Sequence, residues 1–126
     1  MQDRFKFRVW LKELIKPRMT YTSGLSINKN QIDDSDNIIM QCTGLKDKNG
    51  KLIYEGDIVR FYDDGILKTM KIVWDNDELD FKAIGLKKNV ECYELDFSYL
   101  GCIEKEDNLE VIGNIYQDIE LLKEER

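Results

Sequence analysis

The stretch GKLIYEGDIVRFYDDGILKTMKIVW, residues 50–74, decides the fold of this chain. Two apolar runs, residues 57–62 and 66–74, flank the dipeptide Asp64-Gly65. Asp-Gly between apolar runs favours the positive φ angles of a tight β-hairpin turn. The stretch therefore predicts a β-hairpin.

The second run of this hairpin shows which face is buried. Met70, Ile72 and Trp74 alternate with Thr69, Lys71 and Val73, and alternation of this kind indicates a strand with one face against the core. Lys68 falls on the same face as Met70. We expect it at the open rim, where its aliphatic stem can lie along apolar surface.

The step Tyr54-Glu55-Gly56-Asp57 raises the question of whether it forms an active site or a bend. Glu55 and Asp57 would share one face of a strand, and paired carboxylates can serve acid–base chemistry when their pKa values differ. Gly56, however, admits backbone angles that other residues avoid, and Asp57 can bind neighbouring amides. Small SH3-type barrels commonly begin with such a turn and a Gly-Asp-x-Val strand. We interpret the step as a structural corner.

Further bends follow from the remaining glycines. Asn49-Gly50 predicts a tight turn, Gly44 marks a bend before it, and Gly113 lies inside a predicted strand, where glycine indicates a bulge or a close backbone approach. The residues assigned to structural turns are Gly44, Asn49, Gly50, Tyr54, Glu55, Gly56, Asp57 and Gly113.

The flanking segments complete the expected fold. Strict alternation predicts an N-terminal strand over residues 4–10, with Phe5, Phe7 and Val9 on one face. The helical spacing over residues 10–15 then fits a turn, a single helical turn or a short helix that Pro17 ends. The other predicted elements are a long polar loop at 20–38 and strands at 38–42, 81–85, 93–99 and 109–116, with a closing helical turn at 119–122.

A chain of 126 residues with these patterns predicts one domain, residues 1–126. The predicted class is mainly β. We expect a small, SH3-like, partly open barrel built from hairpins, with an extra N-terminal strand, a long loop and little helix.

The charge balance bears on the partners. The net charge is −6 and the sequence pI is about 4.8, which disfavours nucleic acid because duplex binding needs a basic face. A local basic, aromatic face remains a candidate at Phe61, Tyr62, Lys68 and Lys71. We expect the amino-terminal basic residues to lie on a solvated strand face; these are Arg4, Lys6, Arg8 and Lys12.

Catalytic and metal chemistry have little support in the composition. Histidine is absent, which removes the usual general base and the commonest metal ligand. The acidic clusters at 33–36 and 75–80 are typical of solvated turns. We expect no enzyme activity, no cofactor and no metal.

The cysteine count is odd, and no pair has Cys-x-x-Cys spacing. Cys42, Cys92 and Cys102 are therefore expected to be small buried hydrophobes of a reduced, cytoplasmic protein. Neither a secretory signal nor a membrane span is predicted.

The segments FKFRVW, MQCTGLKDKNGKLIYEGDIVRF, KIVWDN and EVIGNIYQDIELL occur in this order. Together they resemble the YopX family of phage and prophage proteins. The resemblance implies a β-rich fold, a bacterial cytoplasmic setting and a tendency to self-associate, and it supplies no catalytic residues. Residues 75–108 match poorly, and Ile119 stands where the family usually has proline.

Three functions stay open on these grounds. The first is a phage or prophage accessory protein that acts by binding or self-assembly, with a second copy of itself or a phage or host protein as its partner. The second is a nucleic-acid-binding β-barrel. The third is a carboxylate-dependent or metal-dependent enzyme.

Overall fold

The computed structural model describes residues 6–11, 17–21, 38–86 and 94–118. Its elements in chain order are β1 (Phe7–Leu11), β2 (Arg18–Tyr21), β3 (Ile38–Lys46), β4 (Leu52–Tyr54), β5 (Asp57–Asp63), β6 (Ile66–Asp75), β7 (Asp80–Gly85), β8 (Glu94–Asp96), the helix α1 (Phe97–Lys105) and β9 (Glu110–Asn114).

These strands form two antiparallel sheets. The first has the order β2-β1-β3-β4, and the second, which curls into a half-barrel, has the order β8-β7-β6-β5-β9. The predicted fold class is confirmed: the protein is mainly β, with a partly open barrel, an additional N-terminal strand and little helix.

The β5–β6 hairpin forms as the sequence predicts. Asp63 pairs with Ile66, so the loop has two residues, and Asp64 and Gly65 both have positive φ, at 52° and 78°. The φ values fit a hairpin turn whose twist matches that of its strands. Register then sends Met70 and Ile72 to the buried inner face.

The main core lies between the inner face of the second sheet, the end of β3, β4 and α1. Its members are all apolar, and their burial removes apolar surface from water, which favours the folded state. They are Leu45, Ile53, Val59, Phe61, Met70, Ile72, Phe81, Ala83, Leu95, Leu100, Ile103 and Leu109, with Trp74, Phe97 and Val111 packed at the border.

The alternation over residues 93–99 gave a wrong prediction. Strand β8 ends at Asp96, and Phe97 and Tyr99 belong to α1. The Asp96 side chain accepts a hydrogen bond from the Tyr99 amide at 2.9 Å, so it caps the helix. Leu100 and Ile103 then face the core at helical spacing, and their burial outweighs the short strand-like pattern.

Other boundaries differ less. β3 runs on to Lys46 rather than ending at Cys42, Thr20 and Tyr21 lie in β2 rather than in a loop, and β9 ends at Asn114. The expected helical turn after Trp10 and the closing turn at 119–122 involve residues outside the described ranges. No helix among the described residues has the length and apolar character of a membrane span.

The cysteine prediction holds for one residue and fails for another. Cys42 is buried, whereas Cys102 is exposed because α1 turns Leu100 and Ile103 towards the core. Cys92 lies outside the described residues.

Asp47 fixes the turn between β3 and β4. Its Oδ1 accepts hydrogen bonds from the amides of Asn49 and Lys51, both at 2.9 Å, and its Oδ2 accepts one from the Val111 amide at 3.0 Å. One buried carboxylate therefore shapes the Asn49-Gly50 turn and fastens it to β9.

We expect Asp47→Ala to lower the free energy of unfolding by about 2–4 kcal/mol, because three amides lose a charged acceptor. Urea unfolding followed by circular dichroism measures the loss. The control is Asp77→Ala, at an exposed turn position, which should leave the midpoint unchanged. Equal midpoints for the two variants would contradict this role.

Candidate functional site

The Tyr54–Asp57 step joins β4 to β5 through a turn that is held on both sides. Gly56 has a φ of +89°; its amide donates to the Ile72 carbonyl at 2.8 Å, and its carbonyl accepts from the Ile115 amide at 2.9 Å. Oδ2 of Asp57 accepts from the Tyr54 amide at 2.8 Å. The turn is therefore tied to β6 and to the segment after β9.

Arg8 completes this turn, and here the expectation of a solvated face was wrong. Arg8 and Asp57 are each 1% exposed, and Nη1 of Arg8 lies 2.8 Å from Oδ1 of Asp57. Nη2 of Arg8 donates to the Glu55 carbonyl at 3.0 Å. The alternation along β1 predicts that Arg8 and Val9 lie on opposite faces of the strand. It does not predict what covers either face.

An aromatic ring lies against the Arg8 side of the ion pair, and further ring pairs involve the neighbouring strands. The Cζ atom of Arg8 lies 4.9 Å from the centroid of the Tyr54 ring, within the range of a cation–π contact. Tyr21 meets Tyr54 edge to face at 5.6 Å, and Trp10 stacks on Tyr116 at 5.9 Å. The Tyr54 ring thus covers the guanidinium, and Tyr21 packs on that ring in turn.

Burial changes the acidity of two groups beside the pair. It raises the pKa of the Tyr54 phenol to about 12, with the nearby Cys42 thiol adding to the effect. Burial also raises the pKa of Glu55, against the lowering effects of a Gln41 backbone hydrogen bond and of Arg8. Tyr54 consequently stays neutral at physiological pH, and Glu55 holds its proton more tightly than it would in water.

The geometry uses the two carboxylates in different ways. Both oxygens of Asp57 are occupied, one by Arg8 and one by the Tyr54 amide, and the side chain is enclosed. Glu55 is only half buried. No group of three or more metal-ligating side chains occurs within the described ranges. The Tyr54–Asp57 step therefore joins two sheets. Asp57 presents no free oxygen to a substrate.

The other predicted turn residues also lie at bends. Gly44 has a φ of 88° at the register shift of β3, and Gly50 has a φ of 82° in the turn that Asn49 begins. Gly113 lies opposite Ile58, where β9 carries one extra residue. A Cβ at Gly113 would lie 2.7 Å from Asp118, so both readings of this glycine, bulge and close approach, describe it.

The four residues of the candidate basic, aromatic face do not share one face. Phe61 lies in the core and Tyr62 is exposed, because neighbours on a strand point to opposite sides. Lys68 pairs in register with Phe61, on the inner face, and its Nζ binds Asp63 at 2.7 Å. Of the four, Tyr62 and Lys71 fall on the outer face, which is the side of the second sheet opposite the main core.

Sequence reasoning missed three residues that the structure makes prominent. Arg60 and Leu67 join Tyr62 on the outer face, and strict period-two counting along β5 and β6 would have placed them there. Arg8 carried no such signal, since its partner Asp57 is distant in sequence.

The sequence profile described as YopX protein matches residues 6–123. The chain belongs to the YopX family. No protein of curated function matches it.

Among solved structures, this YopX-family chain is similar to the crystal structure of protein EF1440 from Enterococcus faecalis. The two are 24% identical, with a TM-score of 0.55, and the match covers 93% of this chain and 96% of that one. The likeness shows a shared fold.

We expect Asp57→Asn to lower the free energy of unfolding by about 3–5 kcal/mol, because the Arg8 guanidinium would stay buried without a counterion. Urea unfolding measures this, with Asp77→Asn as the exposed control. The double variant Arg8→Met/Asp57→Asn should lose less than the two single changes added together. Simple additivity would show that the ion pair does not couple the two sheets.

Glu55→Gln should have the opposite effect at neutral pH. Because burial raises the pKa of Glu55 above its ordinary value, the folded state binds this proton more tightly than the unfolded state. The contribution of Glu55 to stability therefore rises as pH falls from the raised folded value towards the ordinary one. We expect Glu55→Gln to be at least as stable as the wild type at pH 7.5.

This advantage should shrink as the pH is lowered to 4.5. Unfolding midpoints at both pH values give the measurement. A variant that is less stable than the wild type at pH 7.5, or a gap that widens in acid, would contradict the assignment.

Proposed function

We propose that this protein acts by binding rather than by catalysis, and that it self-associates. The observation that carries the proposal is the tip of the β5–β6 hairpin, where three large apolar side chains meet water. Tyr62 is 60% exposed, Ile66 61% and Leu67 41%. Tyr62 and Leu67 are cross-strand partners on the outer face, and Ile66, which pairs with Asp63, lies next to Leu67 on the opposite face.

Exposed apolar side chains that cluster in this way favour a contact that removes them from water. Single exposed apolar residues are ordinary, but here three lie at one end of the same hairpin, two of them side by side on one face. We call this group, Tyr62, Ile66 and Leu67, the apolar tip.

The backbone beside the apolar tip is already satisfied. The Asn108 side chain accepts a hydrogen bond from the Tyr62 amide at 3.1 Å and donates one to the Tyr62 carbonyl at 2.7 Å. A partner therefore has no open backbone pair at Tyr62 to extend by strand addition. The side chains of the tip are what remains for a contact.

The contacts of the Asp57 carboxylate support binding over catalysis. Both oxygens of Asp57, the stronger candidate in the Tyr-Glu-Gly-Asp step, are occupied by Arg8 and a backbone amide.

A cytoplasmic setting belongs to the proposal too: Cys42 and Cys102 are free thiols, as a reducing compartment would keep them. The partner of the assembled form is a phage or host protein.

We expect the wild type to have an assembled mass at about 100 μM by size-exclusion chromatography with light scattering, and Leu67→Lys to shift it towards the monomer. A lysine in the apolar tip would have to be desolvated on contact. The matched control is Leu79→Lys, at an exposed leucine in the β6–β7 turn. It should keep the wild-type mass. A monomeric wild type would contradict self-association.

Nucleic acid binding is the second candidate, and one observation favours it. Arg60 and Tyr62 lie on the same face of β5, so a base could stack on the ring beside a cation. Arg60, however, is held by Glu110 at 2.7 Å, and the chain is acidic. Binding of a short single-stranded oligonucleotide that weakens as salt rises would favour this candidate over the first.

A further inference from the structure

The turn between β3 and β4 places an asparagine before a glycine, at Asn49 and Gly50, and both residues are exposed. No other asparagine of the chain precedes a glycine. Asparagine is a chemically labile residue, because the main-chain nitrogen of the next residue can attack its side-chain carbonyl carbon. A glycine in the next position has no Cβ to hinder that attack. The turn therefore carries the groups of a deamidation reaction.

Neither reacting group is screened by its neighbours. The Asn49 side chain forms no hydrogen bond with the residues that the structure describes. A Cβ added at Gly50 would meet no atom within 4 Å, so the space beside the attacking nitrogen is open. Water and base from solution thus reach both the Gly50 nitrogen and Cγ of Asn49.

Hydrogen bonds to Asp47 restrain the attacking nitrogen. The Gly50 amide donates to the Asp47 carbonyl at 2.9 Å, and the amides of Asn49 and Lys51, on either side of it, donate to Oδ1 of Asp47. The Gly50 nitrogen attacks only after it has lost its proton, and the Asp47 carbonyl holds that proton. The turn must therefore open locally before the reaction can start.

We propose that Asn49 is a site of spontaneous deamidation, and that the Asp47 turn sets its rate. A base in solution takes the Gly50 amide proton, the nitrogen forms a bond to Cγ of Asn49, and the side-chain nitrogen leaves as ammonia. Water then opens the cyclic imide. Its addition at Cγ gives aspartate, and its addition at the main-chain carbonyl carbon of residue 49 gives isoaspartate. The reaction consumes water and no other reagent.

The isoaspartate product changes the turn because it adds a methylene group to the backbone between residues 49 and 50. Three hydrogen bonds span that link. Gly50 donates to the Asp47 carbonyl, Lys51 donates to Oδ1 of Asp47, and the Asp47 amide donates to the Lys51 carbonyl at 2.8 Å. A longer backbone cannot keep all three in the same geometry.

The effect extends beyond the turn because the same carboxylate holds β9. Oδ2 of Asp47 accepts the hydrogen bond from the Val111 amide at 3.0 Å, so a displaced Asp47 weakens the attachment of the turn to β9. Deamidation is thus a one-way chemical change that loosens a connection between the two sheets.

Mass spectrometry measures the reaction, since exchange of the amide for a carboxylate raises the mass of the proteolytic fragment that contains residue 49. In mildly alkaline buffer we expect the folded wild type to react about fivefold or more slowly than the wild type unfolded in urea, which lacks the Gly50 hydrogen bond. Asn49→Ser has no side-chain amide and should show no mass gain in this fragment.

Two variants separate local opening of the turn from unfolding of the whole chain. Asp47→Ala should move the rate of the folded protein towards that of the unfolded chain. Arg8→Met is the matched control, because it removes the partner of Asp57 and lowers stability without touching the turn. It should keep the wild-type rate under conditions in which circular dichroism shows both variants to be folded.

The consequence of the reaction has its own control. The isoaspartate form, separated by ion exchange and identified by enzymatic methylation of its free carboxylate, should unfold at a lower urea concentration than Asn49→Asp. These two proteins carry the same charge and differ only in the length of the backbone.

The outcomes are distinct. A fragment without mass gain even in urea would overturn the site, and equal rates in the folded and the unfolded wild type would overturn the restraint. Arg8→Met that reacts as fast as Asp47→Ala would show that global unfolding sets the rate. An isoaspartate form as stable as Asn49→Asp would overturn the effect on β9. None of these results depends on whether the chain self-associates.

Discussion

The ion pair between Arg8 and Asp57 is the constraint on which the rest of the structure depends. Arg8 comes from the first sheet and Asp57 from the start of β5 in the second, and both are enclosed. Two charges taken out of water favour the fold only while each has its partner. The pair therefore fixes the sheets in one relation, and the Tyr54–Asp57 turn, held to β6 and to Ile115, transmits that relation to the half-barrel.

Elsewhere, too, polar side chains connect separate segments of the fold through hydrogen bonds. Asp47 fastens the β3–β4 turn to β9, Asn108 closes the backbone beside Tyr62, and Asp96 caps α1. The polar atoms of these side chains are engaged in hydrogen bonds that stabilise the fold. The second sheet instead exposes large apolar side chains at the tip of its hairpin. This contrast is why we assign binding to the apolar tip and structure to the Tyr-Glu-Gly-Asp step.

Much of the half-barrel followed from the sequence. Asp64-Gly65 predicted its hairpin, and the alternation of Met70, Ile72 and Trp74 predicted its inner face, because both depend on local backbone angles and on period two. The helix α1 was missed since Tyr93, Leu95, Phe97 and Tyr99 alternate like a strand, whereas the cap at Asp96 and the burial of Leu100 and Ile103 decide otherwise. The prediction of a basic, aromatic face was wrong because Phe61 and Tyr62 are adjacent on β5, so their side chains point to opposite faces of the sheet.

The sequence by itself determined the β class, the central hairpin, the bends at glycine and the family, since each of these depends on short-range spacing. The tertiary structure alone decided that Arg8 is buried against Asp57, that Asp47 reaches Val111, and that Lys71 lies in register between Ile58 and Ile84. Those facts depend on which distant segments meet, and the local pattern of a strand is the same whether water or another sheet covers its charged side.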